Sequence, residues 1–297
     1  MTVAVSVVAA AAAADDRLLA REARKLRRSG SLGVSGWIAI GALVVLGLVA
    51  LLAPLIVPTD PNAVSLSDAY LPASGSHPLG TDASGRDLLS RLIMGSQTAL
   101  VGPLLVVVAS TILGTALALC AVWFGGWFDQ AVVRVVDAIF AFPGLLLAIL
   151  ATALFGSGLT AAVAALSIAY IPYIARIVRS AALSERSLPY VAALRVQGVR
   201  GFVIATRHIL PNVSGLIVAN GTLSFGFVLM DLAGLSFIGL GVQPPTADWG
   251  AMVGEGMSGV LQQQPLEALS ASLLIVITVA SVNILGDRLT ERSEAHS

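Results

Sequence analysis

Charge is scarce in this chain: 11% of its 297 residues are Asp, Glu, Lys or Arg, while 57% are hydrophobic. At a mean hydropathy of +0.89 there is too little polar surface to cover a water-soluble globule of this length. That excludes a soluble enzyme. Cysteine is almost missing too, because Cys120 stands alone in an apolar run, so neither a disulfide framework nor a cysteine-based metal site can form. Lysine occurs once, as Lys25 within ARKLRR, and the phosphate loop G-x-x-x-x-G-K-[ST] therefore cannot be written anywhere in the chain. ATP, if it drives this protein, is hydrolysed on another chain. Histidine occurs at His77, His208 and His296, all outside the long apolar runs. An intramembrane serine protease, the class to which GMSG at 256–259 would point, would lack its general base.

What is present is a series of apolar runs at 37–57, 98–124, 131–155, 159–183, 213–240 and 266–286. A bilayer core about 30 Å thick takes about 20 helical residues, so these runs predict an all-α integral membrane protein with six transmembrane helices. The opening MTVAVSVVAAAAAADD has no basic residue before its apolar run and two acids after it, the reverse of a signal peptide, and reads as a flexible tail. Arg17, Arg21, Arg24, Lys25 and Arg28 follow at helical spacing, suited to lie on an anionic lipid surface. With the N-terminus inside, all of the 17 Lys and Arg except Arg86 and Arg91 fall on the inner side, the distribution that membrane insertion favours. The expected layout is a cytoplasmic tail at 1–35, a membrane domain at 36–290 and a cytoplasmic tail at 291–297. Within the domain, 58–97 and 241–265 lie outside and 184–212 lies inside.

Each long connection has its own character. SGRDLLSRLIMG reads as a short amphipathic helix on the outer surface, with Asp87 and Arg91 placed for an i,i+4 pair and Gly95 as its stop. In 241–265, Pro244 and Pro245 prevent a continuing helix, Trp249 suits a membrane interface, and low charge predicts a segment dipping back toward the membrane. On the inner side, YVAALRVQGVRGFVIATRHILPN predicts a helix capped by Ser187, started by Pro189 and ended at Gly198. Leu188, Val191 and Leu194 form its apolar stripe, Arg195 points elsewhere, and Pro211 breaks the backbone before the next span. Two short helices about a glycine make a protruding knuckle.

These residues carry a resemblance. YVAALRVQG followed by RHILPN resembles the cytoplasmic loop of ATP-binding-cassette importer permeases, with Ala193, Gly198 and Pro211 at its alanine, glycine and proline and His208 where many peptide permeases have histidine. Ala192 replaces the pattern's Glu, and Leu194 its second Ala. HPLGTDASGRDLLSRL and LSFIGLGVQPPTADWG are similar to the C-type permease subunit of dipeptide, oligopeptide and nickel importers. The resemblance implies a type I importer permease in a bacterial inner membrane, forming half of a translocation path with a homologous permease. It also implies two cytoplasmic ATPase subunits or a fused one, which bind ATP and Mg, and an extracytoplasmic substrate-binding protein. No cofactor, metal or nucleic acid is implied for this chain. Expected cargo is a dipeptide or oligopeptide, with nickel chelates or haem-type cargo as the lesser alternative. The ATPases are expected at Leu188, Tyr190, Val191, Ala192, Ala193, Leu194, Arg195, Gly198, His208 and Pro211. The binding protein is expected at Arg86, Asp87, Arg91, Pro244, Pro245 and Trp249.

Two acids fall within the spans. Arg134, three residues before Asp137, is placed to pair with it. Asp231 lies one residue before Leu232, where the family often has Glu, and a charge at mid-membrane costs about 2.5–3.5 kcal/mol, so it is expected to face protein, water or the path. An ion-coupled secondary transporter working through Asp137 and Asp231 is the alternative reading.

Overall fold

The computed structural model describes residues 33–294, which are mainly helical, with an isolated bridge from Thr81 to Asp87. The helices are α1 (Gly33–Ile56), α2 (Leu88–Phe124), α3 (Gly126–Phe140), α4 (Gly144–Phe155), α5 (Leu159–Arg186), α6 (Pro189–Val196), α7 (Gly201–Phe237), α8 (Trp249–Glu255), α9 (Met257–Leu261) and α10 (Leu266–Glu294). Among the described residues, α1, α2, α5, α7 and α10 are each long and apolar enough to cross a membrane, and α3 with α4, bent by 80°, would add a sixth crossing if the pair spans as one. The bend falls at 141–143, where Pro143 offers no backbone N–H to continue the first helix. The basic segment from Arg17 to Arg28 lies outside the described residues.

The bundle has two chemically different ends. Segments 57–87 and 238–265 close one, the clamp end; 184–212 and the start of α3 form the other, the arginine end. Their spacing is set by α2. Gly95, Ala99, Gly102, Val106, Ser110, Gly114, Ala118 and Ala121 recur every three or four residues along this helix, and all are buried. Where solvent is lipid, burying apolar groups gives helices little reason to associate, so small residues that let backbones approach closely supply the contact. A Cβ on Gly114 would stand 3.0 Å from Ile174 Cβ and 3.1 Å from the Ile171 carbonyl oxygen of α5. On Gly102 it would stand 3.1 Å from Leu232 Cδ1 of α7.

Two sequence expectations are corrected. SGRDLLSRLIMG is no separate surface helix: Leu88 begins α2, which runs unbroken for 37 residues through Gly95. Gly95 instead seats Trp249, whose Cδ1 would be 3.0 Å from an added Cβ. Nor does Pro211 break the chain. α7 is continuous from Gly201 because a π turn at Ala205–Ile209, with Leu210 N–H bonded to the Ala205 carbonyl, widens the helix ahead of the proline ring.

Gly114→Leu is expected to force α2 and α5 apart and cost about 1–3 kcal/mol of stability. Gly41→Leu, where nothing lies within 4 Å, serves as the neutral control. Thermal unfolding of the purified proteins in detergent reads the difference; equal midpoints would refute the close-contact account of α2.

Candidate functional site

At the arginine end, α6 is held to the bundle by a single buried residue and its ring of neighbours. Val191 is fully buried among Val122, Ala182, Ile204 and Ile209, with Trp123, Tyr190, Leu194 and Val199 packed around them. The helix ends at Gly198, φ +77°, with Val199 N–H bonded to the Leu194 carbonyl and Gly198 N–H to the Arg195 carbonyl. This left-handed cap strains any residue with a Cβ. Leu188 occupies the N-cap position rather than Ser187, whose hydroxyl bonds back to the Ser184 carbonyl. Trp123 lies 5.5 Å from the Arg195 guanidinium and 5.8 Å from that of Arg186. Gly201 leaves room for its indole, since an added Cβ there would overlap the ring. Glu185 Oε1 accepts from Tyr190 Oη and Asn212 Nδ2, both at 2.6 Å, tying α5, α6 and α7 together. Burial and this neighbouring carboxylate push the Tyr190 phenol up to about 12.

The outward face of α6 is therefore not the predicted one. Val191 and Leu194 face their own bundle, and only Leu188 of the expected stripe is exposed. Pro189, Ala192, Ala193 and Val196, at i, i+3, i+4 and i+7, form the free stripe, with Val196 89% exposed. The two departures from the loop pattern separate: Ala192 lies on the free face, and Leu194 is half-buried against the Val191 cluster. Arg195 is exposed, Pro211 is exposed and His208 is partly buried.

At the clamp end, residues predicted to form a rim are mostly buried. Arg91 is fully buried; its Nη2 donates to Glu255 Oε2 at 3.0 Å, and its Nε lies 3.6 Å from Asp82 Oδ2. Arg86 Nε donates to Asp82 Oδ2 at 2.5 Å and its Nη2 to Glu255 Oε2 at 2.6 Å. Burial disfavours the Arg86 charge, but the carboxylates of Asp82 and Glu255 outweigh it and hold the guanidinium above its ordinary value. Asp87 does not pair with Arg91. It caps α2 by accepting from Ser90 N–H at 2.8 Å, while its other oxygen lies 3.1 Å from His77 Nδ1. Trp249 is buried rather than interfacial, its indole N–H bonded to the Leu92 carbonyl at 2.9 Å. Of the predicted rim, Pro244 and Pro245 remain exposed. Asp248, which caps α8 through Ala251 N–H, has its carboxyl pushed up by burial against the pull of its hydrogen bonds. In segment 241–265, Gly250 and Gly254 lie against the α7 backbone at Ala233 and Phe237.

Between these ends, α7 presents a strip that its neighbours cover only in part. α5 packs on one side, where Val213 and Ile217 meet Ile174 and Val178; α10 packs on another, where Gly226 meets Asn283 and Gly286 meets Leu223. Leu216, Asn220, Phe227, Asp231 and Gly234 lie between, within about 60° of one another at about 100° per residue, and none is buried. Tyr170 Oη donates to Asp231 Oδ2 at 2.9 Å and Tyr173 Oη to Asn220 Oδ1 at 3.2 Å. Asp137 does not share this strip. It pairs at 2.7 Å with Arg176, not with Arg134, and nearby Asp129 accepts both Nε and Nη2 of Arg179 at 2.6 and 2.5 Å.

Sequence reasoning missed Asp82, Glu255, Trp123, Glu185 and Tyr170. Arg91 and Glu255 are 164 positions apart, and no local spacing announces such a pair. The resemblance did mark the segments that contain Asp82 and Trp249, though not their roles.

A family profile described as the binding-protein-dependent transport system inner membrane component matches residues 90–296. The chain is 40% identical to a glutathione transport system permease protein of Pectobacterium atrosepticum over 73% of its own length and 72% of that protein. It is 39% identical to a putative peptide transport system permease protein of Brucella suis, covering 91% of this chain and 89% of the relative. With a dipeptide transport system permease protein of Alkalihalophilus pseudofirmus it shares 34% identity over 91% and 88% of the two chains.

The clamp yields a test. Arg91→Met leaves the Glu255 and Asp82 carboxylates short of a cation in a buried site and is expected to lower stability by about 3 kcal/mol or more. Adding Glu255→Gln should recover at least about 1 kcal/mol of that loss, the coupling expected of residues in one network. Detergent melts of the two single variants and the double variant measure it, and strictly additive losses would show that the pair does not interact.

Proposed function

The chain belongs to the family of binding-protein-dependent transport system inner membrane components, and from that premise we propose that it is a permease subunit of an ATP-driven importer of short peptides. The relatives named for glutathione, dipeptide and peptide transport support the cargo class. In this reading the chain supplies half of the path, and a homologous permease supplies the other half. Two ABC ATPase subunits, or one fused chain, carry ATP and Mg beneath it. A substrate-binding protein delivers cargo at the clamp end, meeting the exposed Pro244 and Pro245. Both termini are cytoplasmic, in a bacterial inner membrane, with 1–35 and 291–297 as tails and 184–212 as the coupling loop.

The observation that carries this reading is the free stripe of Pro189, Ala192, Ala193 and Val196 on a helix otherwise anchored in the bundle. A smooth apolar face on a rigid support can receive a push without absorbing it. Because Val191 shares its cluster with Val122 of α2, Ala182 of α5 and Ile204 and Ile209 of α7, displacement of α6 is passed to three crossings at once. ATP binding draws the ATPases together and carries the knuckle inward; hydrolysis and product release reset it. Ala192 leaves the contact without the carboxylate common in this loop, so docking relies on shape and apolar fit. The ion-coupled alternative has less support, since Asp137 is already bonded to Arg176.

The expected result of combining Ala193→Glu with Val196→Asp is a roughly fivefold or larger fall in uptake per ATP hydrolysed, the scale of losing about 1 kcal/mol at an interface. Both sites are exposed, so the melting behaviour of the subunit should shift by no more than about 0.5 kcal/mol. Reconstituted vesicles containing all subunits give the coupling ratio, and co-purification gives ATPase retention. Unchanged coupling would place the docking face elsewhere.

A further inference from the structure

The strip of α7 holds two polar side chains, and they differ in what they leave unsatisfied. Asn220 is engaged at both ends of its amide: its Oδ1 accepts from Tyr173, and its Nδ2 donates to the Leu216 carbonyl at 2.9 Å. Asp231 is not. Its Oδ2 accepts from Tyr170, a neutral donor, and among the described residues no cationic side chain pairs with it. A carboxylate can accept several hydrogen bonds on its two oxygens, so most of this capacity stays open. Such a group facing lipid tails would be costly, and ionisable residues inside spans face protein or a water-filled route. The neighbouring Leu232, by contrast, is buried with Val106, Leu166 and Val228 in an apolar cluster. One residue along the helix thus separates a core position from one on the partly covered strip.

We infer that Asp231 is a binding site for the ammonium end of a peptide in transit, with Tyr170 as the positioning residue that fixes one carboxylate oxygen and leaves the other for cargo. An ammonium brings three N–H donors and a full positive charge, which suits an acceptor-only group that has one neutral partner. The strip is only partly covered in the single subunit, and in the importer reading a second permease would complete the enclosure. The inference rests on the peptide-importer reading and adds to it a chemical preference within the membrane, separate from any selection by a binding protein.

The test uses the complete importer in proteoliposomes, given an equimolar mixture of di- and tripeptides and, separately, the N-acetylated mixture, with uptake read by mass spectrometry. Asp231→Asn keeps the side-chain shape and is expected to slow uptake of the free-amino mixture about tenfold, the scale of a lost charge-assisted hydrogen bond. Uptake of the acetylated mixture, which has no ammonium to lose, should fall by no more than about twofold on the same scale. Asp231→Glu, which restores the charge, should recover most of the preference, and Tyr170→Phe should lower it by a smaller factor. The binding protein is common to all measurements, so its own preference cancels in the ratio. Equal slowing of both mixtures by Asp231→Asn overturns the ammonium site while leaving the importer reading intact. A wild-type importer that moves no member of either mixture overturns the peptide reading and the site with it.

Discussion

How closely α2 lets its neighbours approach determines the placement of almost everything else. Its buried line of small residues, from Gly95 to Ala121, presents backbone rather than side chain to α5 and α7. Near the clamp end the same line receives Trp249 over Gly95. At the opposite end Trp123 caps the helix line and fits over Gly201. One helix thereby positions both specialised ends of the bundle, and the two indoles mark where its influence stops.

The charged residues divide along the same axis. At the clamp end Arg86 and Arg91 are spent internally, holding Asp82 and Glu255 so that the chain before α2 and the chain after α7 behave as one piece. At the other end Arg176 and Arg179 brace α3 against α5, while Arg195, Arg200 and Arg207 remain exposed around a knuckle whose free surface is apolar. Asp231, between the two ends, belongs to neither network.

The membrane-spanning architecture was legible in the sequence because a lipid solvent demands long apolar runs, and such runs cannot be disguised. The glycine at the end of α6 was legible too, since a chain reversal after a short helix calls for the left-handed conformation that Gly198 adopts. What could not be read was which side of a short amphipathic element faces its own bundle. Val191 and Leu194 look like a docking stripe on a helical wheel; only the positions of Val122 and Ile204, distant in sequence, show that the stripe is already covered. The same limit misplaced Arg91 and Trp249, whose partners lie far along the chain. Charge and amphipathicity report that a residue wants a partner, not whether that partner is internal.

The π turn before Pro211 has a geometric consequence. A wide turn takes up one residue more than the α-helical repeat would place there, and each residue of an α-helix advances the azimuth by about 100°. Everything before Ala205 is therefore rotated about the α7 axis relative to an unbroken helix. The bearing of α6, and with it the direction in which Ala192, Ala193 and Val196 point, therefore has to suit both this turn of α7 and the packing of Val191 on Val122 and Ala182. Deleting Thr206 from that turn would keep the apolar residues around Val191 but demand a rotation of about 100° that their packing on Val122 and Ala182 opposes.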